Sequence, residues 1–221
     1  MMGDCQRRDP DQHHHHHHRG AAHRPERDHC PDRPAQLAAK VSNPESHNFS
    51  ATLVIPSAIP GAELPGPLRG WSAVDVKVRG KTVRFVNTHL EAFSVVVRNQ
   101  QARELATALA GSAPPVVLVG DRNSQPDDSA GAYGTFAAAG YVDAWVVVHG
   151  PAGGFTAGQS ELLDNVPSKL DHRVDYVLYQ PRGVEAVAAE VLGEELDDRT
   201  PTGLWPSDHA GVIATLHLAH P

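Results

Sequence analysis

Seven polar residues stand at the ends of otherwise apolar stretches: Asn87 and His89 in VNTHLE, Asp121 and Asn123 in VGDRNS, Asp175 in RVDYVLY, and Asp208 and His209 in SDHAGV. Two imidazoles, three carboxylates and two carboxamides suit chemistry at phosphorus. A carboxylate orients a water or an imidazole, and an imidazolium or amide N–H stabilises a phosphoryl oxygen. A hard cation such as Mg²⁺ takes carboxylate and carbonyl oxygens. Taken singly, each residue has an ordinary explanation. An Asp at a strand end forms a turn or a cap, and a His is more often simply hydrogen-bonded. The inference lies in their common location.

That location follows from alternation. In an extended backbone residues i and i+2 share a face. Asp121 pairs with Asn123, Asn87 with His89, and Arg173 with Asp175. Arg122 then points away, to be partly exposed or paired with an acid. Glu91 has an equal claim to be structural and is left out of the site.

The elements that hold these residues read as α/β. WSAVDVKV places Val74, Val76 and Val78 on one face, Arg79-Gly80 makes a turn with Gly80 at positive φ, and KTVRFVNTHL returns with Val83, Phe85, Asn87 and His89 on one face. Ala102, Leu105, Ala106 and Leu109 predict an amphipathic helix over 98–110, stopped by Gly111 and Pro114-Pro115. VVLVGD is then a buried strand. Strand, helix and strand at this crossover length imply two parallel neighbours, and ligands gather at the C-terminal edge of such a sheet. ATLVIP reads as a short strand, and 56–68, with four prolines and two glycines, as a loop. A short helix ends at Gly140, followed by a segment around Asp143. Residues 149–171 are loop, 173–179 a strand, VEAVAAEVL either strand or helix, and the chain closes on a strand after SDHA.

Residues 1–45 read differently. They are rich in Arg, Asp, His and Pro, and such a segment cannot bury enough apolar area to fold. His13–His18 reads as an affinity tag or a low-complexity tract. Both cysteines, Cys5 and Cys30, lie here, so a bridge between them staples only the tail. Residues 1–40 carry 7 Lys/Arg and 6 Asp/Glu, which leaves 12 and 20 for 41–221, a balance of −8. That gives no support to binding long nucleic acid by a basic stripe, although a local groove can oppose the overall sign. No apolar run spans a membrane, and no signal peptide is visible. The location expected by default is cytoplasmic, or exported if an upstream N-terminus is missing.

VNTHLE, VGDRNS, RVDYVLY and SDHAGVIATL, in this order and rough spacing, resemble the endonuclease/exonuclease/phosphatase superfamily, which includes deoxyribonuclease I, exonuclease III, sphingomyelinases and inositol polyphosphate 5-phosphatases. The likeness covers about residues 48–220, with the domain placed at 46–221. It implies a deoxyribonuclease I-like four-layer αββα sandwich with a mixed sheet, and a Mg²⁺-dependent, or Mn²⁺-dependent, hydrolase of phosphate esters. By resemblance His89 contacts the scissile phosphate and Asp121 positions or deprotonates the attacking water. Asn123 hydrogen-bonds a phosphate oxygen and helps fix Asp121. Asp208 helps hold the metal. His209 donates to the phosphate, with Asp175 on its far nitrogen keeping it protonated. The substrate is a phosphate ester: nucleic acid, a phospholipid head group or an inositol phosphate. No obligate protein partner is evident.

The sequence departs from the family in two places. Arg122 stands where the family usually has an apolar residue. The N-terminal half of the fold is largely absent: the family begins with a strand carrying an Asn and then a Glu that is the principal metal ligand. Neither Glu26 nor Glu45 takes that role. The expectation is a truncated form of a complete enzyme, with an apolar sheet face exposed. The alternative function is a catalytically inactive remnant of the family.

Overall fold

The computed structural model describes residues 39–59 and 62–219. The expected tail up to residue 38, with its histidine run, Cys5, Cys30 and Glu26, lies outside the described residues.

A mixed sheet of six strands forms the centre, in the order β1-β4-β5-β6-β8-β7. These are β1 (Lys40–Asn48), β4 (Gly70–Val78), β5 (Lys81–Thr88), β6 (Val116–Asp121), β7 (Val142–Asp143) and β8 (Asp175–Tyr179). Strands β5 and β6 are parallel, as their helical crossover requires, and the other neighbours are antiparallel. The β4–β5 turn has both Arg79 and Gly80 at positive φ, 49° and 84°, the combination of a type I′ hairpin, which matches the twist of the strands.

Helices α1 (Val95–Leu109) and α2 (Ala132–Ala138) cover one face. Val86, Leu90, Leu105, Leu118 and Phe136 are all inaccessible there. The other face carries Val117 and Tyr179 and packs against a ribbon of β9 (Val184–Leu192) and β10 (Gly211–Leu218). The fold is the mixed α/β architecture expected. Among the described residues two strands lie over this face of the six-stranded sheet, and a cavity of about 600 Å³ opens beside them, lined by Val83, Phe85, Val119, Ile213 and Leu216. Phe85 is 40% exposed.

Several boundaries differ from the sequence reading. Residues 40–45 were expected in the tail but belong to β1, an exposed edge strand. Pro44 and the polar residues around it hide the strand signal. Pro44 falls where the register shifts between Ser42 and Glu45, and an edge strand tolerates proline at such a bulge. The expected 56–68 loop contains a small ladder, in which β2 (Val54–Pro56) pairs with β3 (Glu63–Pro65). Helix α1 begins at Val95, with Ser94 Oγ accepting from Val97 N–H at 3.3 Å as its N-cap. Its apolar periodicity starts a turn later because Val95 and Val96 are exposed. The segment after Asp143 is a short helix, α3 (Ala144–His149), capped by the Asp143 carboxylate on Trp145 N–H at 2.9 Å. VEAVAAEVL is a strand because β10 offers it a full antiparallel partner.

Candidate active site

The geometry at the end of β5 and β6 is set by one close approach. Gly120 has φ +114°, and a Cβ there would lie 2.1 Å from the carbonyl oxygen of Thr88. Only glycine lets the two strands come together at this point. Leu90 N–H then donates to the Asp121 carbonyl at 3.0 Å. His89 and Asp121 are thereby side by side, with Nε2 3.2 Å from Oδ2.

Asn123 does not continue the extended backbone. It turns into the left-handed region at φ 49°, which Asn tolerates better than most residues. Its backbone N–H donates to Asp121 Oδ1 at 2.7 Å, and its side-chain Nδ2 donates to the Leu90 carbonyl at 3.0 Å. It fixes Asp121 through the main chain and ties the segment after His89 through the side chain.

The second pair comes from β8 and the loop before β10. Asp175 Oδ2 lies 2.8 Å from His209 Nδ1, which leaves Nε2 of the imidazole pointing away from the carboxylate. The two pairs meet: ligand atoms of Asp121, Asp175 and His209 all lie within 4.8 Å of one another. Asp208 stands outside that group. Its side chain is exposed and accepts from Ser207 Oγ at 3.3 Å.

The electrostatics differ between the two carboxylates. Burial pushes the Asp121 carboxyl up, but the hydrogen bonds from His89 and from Asn123 N–H, with the nearby imidazoles, outweigh it and hold it below the usual range. Burial dominates at Asp175 and raises its carboxyl, the charge of Asp121 adding to the rise, although His209 and Thr156 donate to it. For His209 burial acts downward, and the bond and charge of Asp175 overcome it, so the imidazole titrates above its ordinary value. The arrangement therefore contains a carboxylate biased toward its charged form and an imidazole biased toward its protonated one.

Thr156 is the positioning residue that sequence patterns gave no means of finding. It is fully buried in the glycine-rich segment 149–171. Its Oγ1 accepts from Val174 N–H and Asp175 N–H at 3.2 and 3.1 Å. Its backbone accepts from Ala210 N–H at 2.7 Å and donates to His172 O at 2.7 Å. One residue thus joins the strand of Asp175 to the segment of His209. A lone Thr in a polar loop carries no signal of this.

Arg122 contradicts the expectation of partial exposure or an acidic partner. It points away from the site, as alternation requires, but it is fully buried. Its guanidinium donates to Gly120 O and Leu118 O at 2.6 and 2.9 Å and lies 5.5 Å from the centre of the Phe136 ring. Burial pulls its pKa down to about 10, against the pull of Tyr176 and Asp121. Arg173 also leaves the site, forming a buried pair with Asp143 at 2.8 Å. Glu91 is buried and structural, accepting from Phe93 N–H at 2.8 Å. Glu45 pairs with Arg84 at 2.6 Å.

The sequence profile of the Endonuclease/Exonuclease/phosphatase family matches residues 56–209, a span that contains every candidate residue above. The chain belongs to the Endonuclease/Exonuclease/phosphatase family. No curated protein matches the sequence. Solved structures of similar fold include D. rerio TDP2 complexed with single strand DNA product, at 18% identity and a TM-score of 0.59, covering 81% of this chain and 68% of that one. A mannosyl-6-phosphatase of Bacteroides thetaiotaomicron is 21% identical with a TM-score of 0.60, covering 80% of this chain and 67% of that one. A family member from Bacteroides vulgatus is 20% identical with a TM-score of 0.60, covering 81% and 66% respectively. At these identities the likeness is one of fold. The chain spans about two thirds of the length of those structures.

Proposed function

We propose that the protein is a divalent-metal-dependent hydrolase of phosphate esters, in which an activated water attacks phosphorus. The observation that carries this is the convergence of two imidazole–carboxylate pairs, His89–Asp121 and His209–Asp175, on one point at the end of the sheet. Asp121, held ionised, orients and deprotonates the water. His89 and Asn123 bind phosphoryl oxygens. His209, kept protonated by Asp175, donates from Nε2 to the phosphoryl oxygen or leaving group as charge develops there.

Carboxylate-rich donors fit a hard cation. Asp208, exposed beside His209 but outside the cluster of Asp121, Asp175 and His209, is the residue we assign to Mg²⁺ or Mn²⁺. When bound, such an ion neutralises charge on the phosphoryl oxygens. The substrate is a phosphate ester of nucleic acid, a phospholipid head group or an inositol phosphate. Among the described residues no helix is long and apolar enough to cross a membrane.

A second reading has its own support. Among the described residues no glutamate joins the cluster, and Glu45 is engaged by Arg84. A protein that keeps the fold without turnover would look the same here. Hydrolysis of bis-p-nitrophenyl phosphate with Mg²⁺ or Mn²⁺ decides between them. Turnover that stops with EDTA and in Asp121→Ala and His209→Ala supports the hydrolase. Folded protein giving only the blank rate supports the inactive remnant.

A further inference from the structure

A third imidazole faces the site from a place that the chemistry above does not use. Ala157, next to the buried Thr156, pairs in antiparallel fashion with His172 on one side and with His209 on the other. Ala157 N–H donates to the His172 carbonyl at 3.0 Å, and His172 N–H donates back to the Ala157 carbonyl at 3.2 Å. Residues directly opposite one another in such a pairing project to the same face. His172, Ala157 and His209 therefore stand in a row, and all three line a polar cleft of about 400 Å³ together with Asn123. Two inter-strand steps put the Cα atoms of the two histidines roughly 10 Å apart, with nothing larger than a methyl group between them.

His172 is oriented as His209 is. Its Nδ1 meets the Asp171 carboxylate, so Nε2 is directed away from the acid. The two ring nitrogens are used as they are in the His209–Asp175 pair. The backbone makes room for that acid: Gly158 has φ +131°, and a Cβ there would lie 2.7 Å from Asp171 Oδ1 and 2.6 Å from the Lys169 carbonyl oxygen. The His172 side chain is 51% exposed, so a substrate reaches it and water can return a proton to it.

Its place in the row decides what it does. Asp121 clusters with His209 and does not line the cleft, whereas His172 lines the cleft and stands outside the cluster. The order is thus Asp121, His209, Ala157, His172. Displacement at phosphorus needs the attacking and leaving oxygens in line, on opposite sides of the phosphorus. With the water on Asp121 and a phosphoryl oxygen on His209, the leaving oxygen points along the cleft towards His172.

We propose that His172 supplies the proton of the leaving group, while His209 donates to a non-bridging phosphoryl oxygen. The water oxygen bonds to phosphorus as its proton passes to Asp121. The bond between phosphorus and the ester oxygen breaks, and its electron pair stays on that oxygen. The His172 Nε2 proton joins it there to give a neutral alcohol. Solvent then returns a proton to His172 and removes the one on Asp121. This rests on the hydrolase reading and divides between two imidazoles the donation assigned there to His209.

Two esters with the same retained arm test it on the full chain with Mg²⁺ or Mn²⁺. Methyl 4-nitrophenyl phosphate releases a phenolate that leaves without a proton. Methyl phenyl phosphate releases a phenol that, like that of Tyr, titrates at about 10 and needs one. In His172→Ala the ratio of kcat for the nitrophenyl ester to kcat for the phenyl ester should rise about 10²-fold, the low end of what a positioned proton donor supplies. His172→Gln, which keeps a hydrogen-bond donor but has no proton to transfer, should raise the ratio as far, and Asp171→Asn less. His209→Ala should lower both rates and keep their ratio. Misfolding lowers both rates together and does not imitate a change in the ratio, and thermal unfolding of each variant reads it directly. Equal losses on the two esters in folded His172→Ala, or no loss on either, overturn the assignment and leave the hydrolase standing. A ratio that rises in His209→Ala and not in His172→Ala also overturns it and gives the leaving group to His209. Wild-type protein that hydrolyses neither ester sinks the hydrolase and the assignment with it.

Discussion

Asp175→Asn is the most informative single change. It keeps the size of the side chain and removes the charge that faces His209 Nδ1 at 2.8 Å. The side chains are 34% and 21% exposed, so solvent screens the pair. Its loss should cost about 1–2 kcal/mol, between the ~0–1 of an exposed pair and the ~3–5 of breaking a buried one. The rate should suffer more. An amide cannot hold His209 protonated, and misplacing a general acid costs roughly 10²–10⁴ in kcat. The pH dependence gives the sharper readout. The folded pKa of His209 lies above its ordinary 6.5. Its contribution to stability is therefore fully present below the unfolded value and is lost as pH rises through the folded one. Asp175 is also raised, from 3.8, so its own contribution is present below that value and is lost as pH rises through its folded pKa. In Asp175→Asn the alkaline limb of the activity profile should move to lower pH, and the slope of urea-unfolding stability above pH 6.5 should flatten. An unchanged alkaline limb, with His209 titrating as in the wild type by NMR, would refute the pairing as the source of its charge.

Three further outcomes follow from the packing. Gly120→Ala places a Cβ 2.1 Å from the Thr88 carbonyl at φ +114°. It should destabilise by about 2–4 kcal/mol and remove activity together with the His89–Asp121 contact, read by denaturant unfolding and assay. Asp143→Ala leaves Arg173 buried without its partner and should cost about 3–5 kcal/mol in thermal unfolding, with loss of the α3 cap adding to it. Thr156→Val keeps the shape but removes the acceptor of two N–H groups. It should cost about 1–3 kcal/mol and lower kcat more than it raises KM, because Asp175 moves while the surface of the cleft stays. A kcat equal to wild type would show that Asp175 is held without it.

Much of the candidate site's placement was legible in the sequence because it sits on strands, where period-2 alternation converts spacing into direction. His89 after the apolar Val86, and Asp121 after VVLVG, had to reach the same edge once β5 and β6 were parallel. Alternation also sent Arg122 to the far side. It could not say what waits there. Burial without an acid is possible only because the carbonyls of Leu118 and Gly120 and the face of Phe136 meet the guanidinium. The edge strand β1 escaped for the opposite reason, since an exposed strand with a proline at its bulge has no alternation to show.

The sequence alone determined the local periods, the glycine turn, the crossover and the order of the polar strand ends, because each depends on neighbours a few residues apart. Only the tertiary structure decided which distant groups touch. The 2.8 Å contact of His209 with Asp175 and the suture through Thr156 join segments far apart in the chain. Such contacts are fixed by packing of the whole sheet, whose sum no single segment contains.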